Sequence, residues 1–136
     1  MYFLDRIYKH KYTNIMLQRG LKPVRWMGSS RRDLRSFPQQ VRRDMGKALY
    51  AAQQGETDPA AKPLKGFEGT RVMEIVDRYD TNTYRAVYTA QIGDVIYVLH
   101  AFQKKSTKGI ATPKKEIELI RRRFVEAQRL NKERQN

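Results

Sequence analysis

Cysteine is absent from the 136-residue chain, which excludes a disulfide scaffold, a thiolate zinc site and a cysteine nucleophile. Histidine occurs only as His10 and His100, far apart in sequence, which argues against a multi-histidine metal centre or a two-histidine acid–base pair. Acidic residues are few: 14 Asp and Glu face 28 Lys and Arg, a formal charge of +14. No apolar run approaches the roughly 20 residues of a bilayer-spanning helix. The N-terminal MYFLDRIYKHKYTNIM lacks the apolar core of a secretory signal and carries Asp5 within it. No Gly-rich phosphate loop, Walker sequence or Gly-x-Ser-x-Gly is present. A soluble cytoplasmic protein, with no metal, no cofactor and no membrane partner, is the expectation.

A length of 136 residues suits one domain, and 40% hydrophobic residues supply one modest core. The positive excess points to a polyanionic partner, because phosphate neutralisation releases counterions and drives association. Charge alone does not say whether that partner is bound or also cut.

Residues 1–21 mix aromatic and basic side chains without a sustained period and are expected to be a flexible extension, or the product of a start upstream of Met16. The domain proper is expected over 22–136. Pro23 to Gly28 reads as a short strand, and Ser29 and Ser30 open a short helix that Phe37-Pro38 stops. Val41, Met45, Ala48, Leu49 and Ala52 recur at helical spacing until Gly55. Residues 55–69 are rich in Gly and Pro and read as a loop. Strands are predicted over 70–78, 83–92 and 95–102, with turns at Asp80-Thr81 and at Gly93-Asp94, the second a tight hairpin. The last strand is nearly all apolar, as a central strand covered on both faces would be. After a lysine-rich loop, Thr112 and Pro113 open a terminal helix whose stripe is Ile117, Ile120, Phe124 and Ala127. The order β-α-α-β-β-β-α makes an α+β domain: two N-terminal helices and a C-terminal helix around a small, mainly antiparallel sheet.

Cations gather around the predicted hairpin: Arg71, Arg85, Lys104, Lys105 and Lys108, with His100 close by. Cleavage of RNA by its own 2′-hydroxyl needs no metal. It needs in-line geometry, removal of the 2′-proton, protonation of the leaving oxygen and stabilisation of the phosphorane. A guanidinium meets the last need with several donors. Structural readings stand beside these. Arg85 in a strand would face solvent or pair with Glu74, and Lys104-Lys105 would be a solvated basic loop. His100 in an apolar strand would be a hydrogen-bonded core or rim histidine. Tyr79, Tyr84, Tyr88 and Tyr97 would stack on bases or simply pack. The run Arg121-Arg122-Arg123 reads as a solvated helix face, or a patch for RNA or an acidic partner.

The segments Lys62-Pro-Leu-Lys-Gly-Phe, Tyr84-Arg-Ala-Val-Tyr, Ile96-Tyr-Val-Leu-His-Ala-Phe-Gln-Lys-Lys-Ser and Thr112-Pro-Lys-Lys-Glu-Ile-Glu-Leu-Ile occur in this order. With Lys22-Pro-Val-Arg-Trp-Met-Gly upstream, they resemble the phage-derived Gp49-like branch of the HigB toxins, within the RelE/ParE superfamily. The resemblance spans about residues 22–130. It implies a RelE-like fold and a type II toxin–antitoxin toxin: a ribosome-dependent mRNA endonuclease neutralised by a HigA-like helix-turn-helix antitoxin. By position it implies that Arg85 and Lys105 stabilise the transition state. His100 is the best remaining proton-transfer candidate, and Lys65, Arg71, Lys104 and Lys108 would hold RNA phosphates. Glu74 stands where some active members have lysine, and the C-terminal tyrosine of some RelE enzymes has no counterpart. ParE-type relatives poison DNA gyrase, so a gyrase poison and a catalytically inert RNA- or antitoxin-binding module are the rival expectations.

Overall fold

A computed structural model describes residues 11–67, 72–104 and 112–135. In chain order the elements are a helix over 11–18 (α1), β1 (Val24–Trp26), α2 (Ser30–Arg35), α3 (Gln39–Gln53), β2 (Ala61–Pro63), β3 (Val72–Tyr79), β4 (Asn82–Thr89), β5 (Ile96–Lys104) and α4 (Lys114–Gln135). The strands form one sheet in the order β1-β5-β4-β3-β2. Only the β1–β5 pairing is parallel, so the expected α+β class with a mainly antiparallel sheet is the class observed.

Strict alternation along β4 divides the molecule into two apolar layers. Tyr84, Ala86 and Tyr88 face α2 and α3, where Leu34, Phe37, Val41, Met45, Ala48, Leu49 and Ala52 cover them. Val87 turns to the other face, where Ile120 and Ala127 of α4 pack with Val72, Tyr97 and Leu99. The sheet is therefore covered on both sides, and β5, between β1 and β4, is an interior strand buried on both faces, as its apolar run implied. Among the described residues no helix is long and apolar enough to cross a membrane.

Partway along β5 the alternation breaks. Val87 opposes His100 but Tyr88 opposes Val98, so Leu99 is an extra residue and β5 carries a bulge. Val98 faces α2 and α3, while Leu99 and His100 both fall on the α4 side. Without the bulge, His100 would share a face with Ile96 and Val98.

Three details depart from the sequence expectation. Residues 11–18 are helical, and Tyr12 Oη accepts a bond from the Val24 amide at 3.1 Å, so this part of the extension is docked on the body. The mixed sequence hides this because only a few of its side chains are partly covered. Inside the expected 55–69 loop, Ala61–Pro63 pair with β3 as an edge strand, a place where proline is tolerated. The connection between β4 and β5 is no tight hairpin. It runs over six residues, 90–95, because Ile92 and Val95 are drawn into the layer beneath α4. By contrast, Asp80 and Thr81 join β3 to β4 as a two-residue turn with φ of 49° and 69°, both left-handed as such hairpins require.

Candidate catalytic face beneath the terminal helix

On the α4 side of the sheet polar side chains stand on three neighbouring strands. Glu74 of β3 opposes Val87, which opposes His100 of β5, and Arg85 and Phe102 form the next row. Arg85 is buried, 3% exposed, and its Nη1 donates to Oε1 of Glu74, which is equally buried. Thr112 Oγ1, just before α4, donates to the same Glu74 oxygen at 3.2 Å. The Glu74 pairing weighed from sequence is thus present, and Arg85 does not face solvent.

His100 lies one row along and is also buried. Its ring stacks on Phe102 with centroids 4.9 Å apart, the i, i+2 neighbour on the same face. Nε2 is bonded to Oε2 of Glu116 in the first turn of α4. Nδ1 lies 3.4 Å from Nη1 of Arg123, which also donates to the Leu99 carbonyl at 2.9 Å. A guanidinium only donates, so Nδ1 accepts and the ring proton sits on Nε2, aimed at the carboxylate. Glu116 is the partly exposed member of the pair and connects the buried imidazole to solvent.

Arg123 is also close to Ser29 Oγ, 3.4 Å from Nη2, and burial draws it below the usual arginine value. The arginine run is therefore not uniform. Arg121 lies over the Phe67 ring at 4.6 Å and Arg122 is exposed, while Arg123 turns under the helix. Sequence reasoning missed Glu116 and Arg123 as site residues. The signal existed: Glu116, Ile120, Arg123 and Ala127 follow steps of 4, 3 and 4, which puts two charges on the buried stripe.

The other expected residues are dispersed. Lys104 ends β5, partly covered, opposite Thr83. Lys65 is exposed just beyond β2, whose Pro63 pairs with Met73. Thr83 pairs with Arg78, so the two lysines lie toward opposite ends of β3 and on opposite sides of it, with Lys104 on β5 and Lys65 beyond β2. Arg71, Lys105, Lys108 and His10 lie outside the described residues. Of the four tyrosines weighed for base stacking, Tyr84, Tyr88 and Tyr97 are buried packing residues, and only Tyr79 is exposed, at 42%. Burial pushes Tyr88 up to about 12, with the Asp58 charge adding to it.

The arrangement brings an imidazole–carboxylate pair, able to take and return a proton, next to a guanidinium whose charge is balanced by Glu74. The family model described as phage derived protein Gp49-like matches residues 32–125, from α2 into α4, which is most of the chain. The chain belongs to the phage-derived Gp49-like family. All seven expected site residues, and Glu116 and Arg123, fall within the part matched by this family. A solved structure similar to this Gp49-like chain is the toxin–antitoxin complex RelBE2 from Mycobacterium tuberculosis. It is 21% identical with a TM-score of 0.41, over 63% of this chain and 94% of that one. No curated protein matches.

Proposed function

We propose that this Gp49-like protein is the toxin of a type II toxin–antitoxin pair and acts as a metal-independent endoribonuclease on mRNA in the ribosome. The observation that carries this reading is the convergence of His100, Glu116 and Arg85 on one sheet face, at the end of the sheet where β5 leads into the lysine-rich loop. The net charge of +14 suits an RNA substrate, and the motifs that resemble HigB toxins lie in the same strands.

In this reading the 2′-oxygen of the substrate forms a bond to phosphorus as the P–O5′ bond breaks. The products are a 2′,3′-cyclic phosphate and a 5′-hydroxyl. The His100–Glu116 pair exchanges the protons, and Lys105 stabilises the phosphorane. Arg85, whose guanidinium is committed to Glu74, acts as a positioning residue that ties β4 to β3 beneath the site. Lys104, Arg71, Lys108 and Lys65 hold successive phosphates along the strand, and the dispersal of Lys65 from Lys104 suits an extended substrate. A HigA-like helix-turn-helix protein is the proposed neutralising partner.

One observation favours a second reading, a catalytically inert module that binds RNA or an antitoxin: the buried Glu74–Arg85 pair is what a purely structural arginine would look like. Incubating a defined mRNA with the purified protein, with and without programmed ribosomes, followed by primer extension, separates the two. New 5′ ends that require both protein and ribosomes are expected. Intact mRNA with protein that arrests growth would transfer the assignment to a gyrase poison, and intact mRNA with protein that binds RNA but does not arrest growth would transfer it to the inert module.

A further inference from the structure

The layer formed by α2 and α3 lies on the side of the sheet away from the His100 face, and its charge is one-sided. Between Ser30 and Gln53 the exposed cations are Arg31, Arg32, Arg35, Arg42, Arg43 and Lys47. The same span contains two acids, and both are partly covered and engaged. Asp33 accepts a bond from Ser29 Oγ at 2.7 Å and lies 3.7 Å from Arg32 Nε, while Asp44 accepts from Gln40 and faces Asp77 of β3. The apolar positions of both helices point the other way, into the sheet.

We propose that the outer face of α2 and α3 docks the phosphate backbone of double-stranded RNA, as a surface separate from the catalytic face. That the nucleic acid is RNA rests on the proposed function; the docking surface rests on the charge layout. Five of the six cations are arginines, whose forked donors match phosphate oxygens two at a time. The only large apolar side chain exposed in this layer is Tyr50, near the C-terminal end of α3. Unpaired bases need a platform of aromatic rings, and a helix that inserts into a membrane needs an apolar face. A duplex needs neither, since it is gripped by its backbone and shape. The 15 residues of α3 span about 22 Å at 1.5 Å each, long enough to follow several successive phosphates. Because the sheet separates the two faces, RNA docked here is not the strand presented to His100. The protein would grip a folded RNA on one side while an extended strand enters the other.

The test uses the full chain and a 2′-O-methyl RNA duplex of about 16 base pairs, which lacks the hydroxyl that cleavage would need. Affinity is measured over a salt series for the wild type and two charge-matched variants, Arg43→Glu/Lys47→Glu on α3 and Lys132→Glu/Arg134→Glu near the end of α4. All four positions are exposed, and circular dichroism checks that each variant folds. The expected result is that the α3 variant loses at least tenfold in affinity, lowers the salt slope by about 2, and that the α4 variant changes little. Equal losses in both variants would mean that only net charge matters, and no loss in the α3 variant would mean that the duplex docks elsewhere; either overturns the proposal, as does a wild type that fails to bind the duplex. Because the probe resists cleavage, a wild type that binds through α3 yet cuts no mRNA would remove the enzymatic reading and leave this surface standing.

Discussion

The guanidinium of Arg123 fills the space that a side chain at Gly28 would occupy. A Cβ on Gly28 would lie 2.6 Å from both Cζ and Nη2 of Arg123, and the backbone of Gly28 has a left-handed φ of 52°. One glycine thus lets the chain turn out of β1 and lets α4 insert an arginine beside His100. Gly28→Ala is expected to destabilise the fold by about 1–2 kcal/mol through the left-handed backbone alone, and further by displacing Arg123. Urea unfolding of Gly28→Ala, Arg123→Ala and the double variant separates the two contributions. The alanine at 28 should cost less when Arg123 is already gone, leaving the backbone share. An equal cost in both backgrounds would show that the close approach carries no energy.

Glu74 and Arg85 are each 4% exposed at the side chain, so neither charge tolerates losing the other. Arg85→Ala should cost about 3–5 kcal/mol, and Glu74→Leu alone a comparable amount, because each leaves a buried charge unmatched. The paired change Glu74→Leu/Arg85→Met should recover most of the stability. Thermal melting of the three variants checks this. Any loss of toxicity in Arg85→Ala must therefore be set against its melting temperature, and the paired variant is the better probe of whether the guanidinium itself matters. Full toxicity in a stably folded pair variant would remove Arg85 from the mechanism.

Periodicity made most of the fold legible. The apolar stripe of α3, the alternation of β4 and the continuous run of β5 each follow from the number of faces that the element buries. Edge features were not legible. Ala61–Pro63 are strand only because β3 offers an unpaired edge, and helix 11–18 was hidden by its mixed composition. The site was half legible. His100 and Arg85 were visible as chemistry-bearing residues in strands, but the bulge at Leu99 decides which face His100 occupies. No local propensity announces that bulge. Glu116 and Arg123 were readable in principle, as charges in phase with Ile120 and Ala127, yet the triple arginine concealed that only one of the three turns inward.

Asp77 of β3 faces Asp44 of α3, and burial, the hydrogen bond with Asp44 and the Asp44 charge together raise Asp77 from 3.8 to about 6. The folded protein holds this proton more tightly than the unfolded chain does. The stability contributed by the protonated form is complete below about pH 3.8 and is lost as pH rises through about 6. Asp77→Asn removes the ionisation while keeping the side chain's shape. Its melting temperature relative to wild type should therefore rise between pH 5 and pH 8. A constant difference across that range would show that the carboxyl groups do not share a proton.

The most direct probe of the proposed chemistry is the pair His100 and Glu116. If the imidazole moves protons and the carboxylate both holds its Nε2 proton and links it to solvent, the two act as one unit. Removing either should then cost about as much as removing both. His100→Ala, Glu116→Gln and the double variant are each expected to slow ribosome-programmed mRNA cleavage by about 10²–10⁴-fold, the range for a positioned acid or base. The Gln variant keeps a neutral hydrogen-bonding partner for Nε2 and so separates positioning from charge. Purely structural roles would predict instead that the losses track melting temperature and that Glu116→Gln is nearly silent. Cleavage at the wild-type rate by folded His100→Ala would exclude the imidazole from the reaction and leave the proton transfers to the lysines at the end of β5.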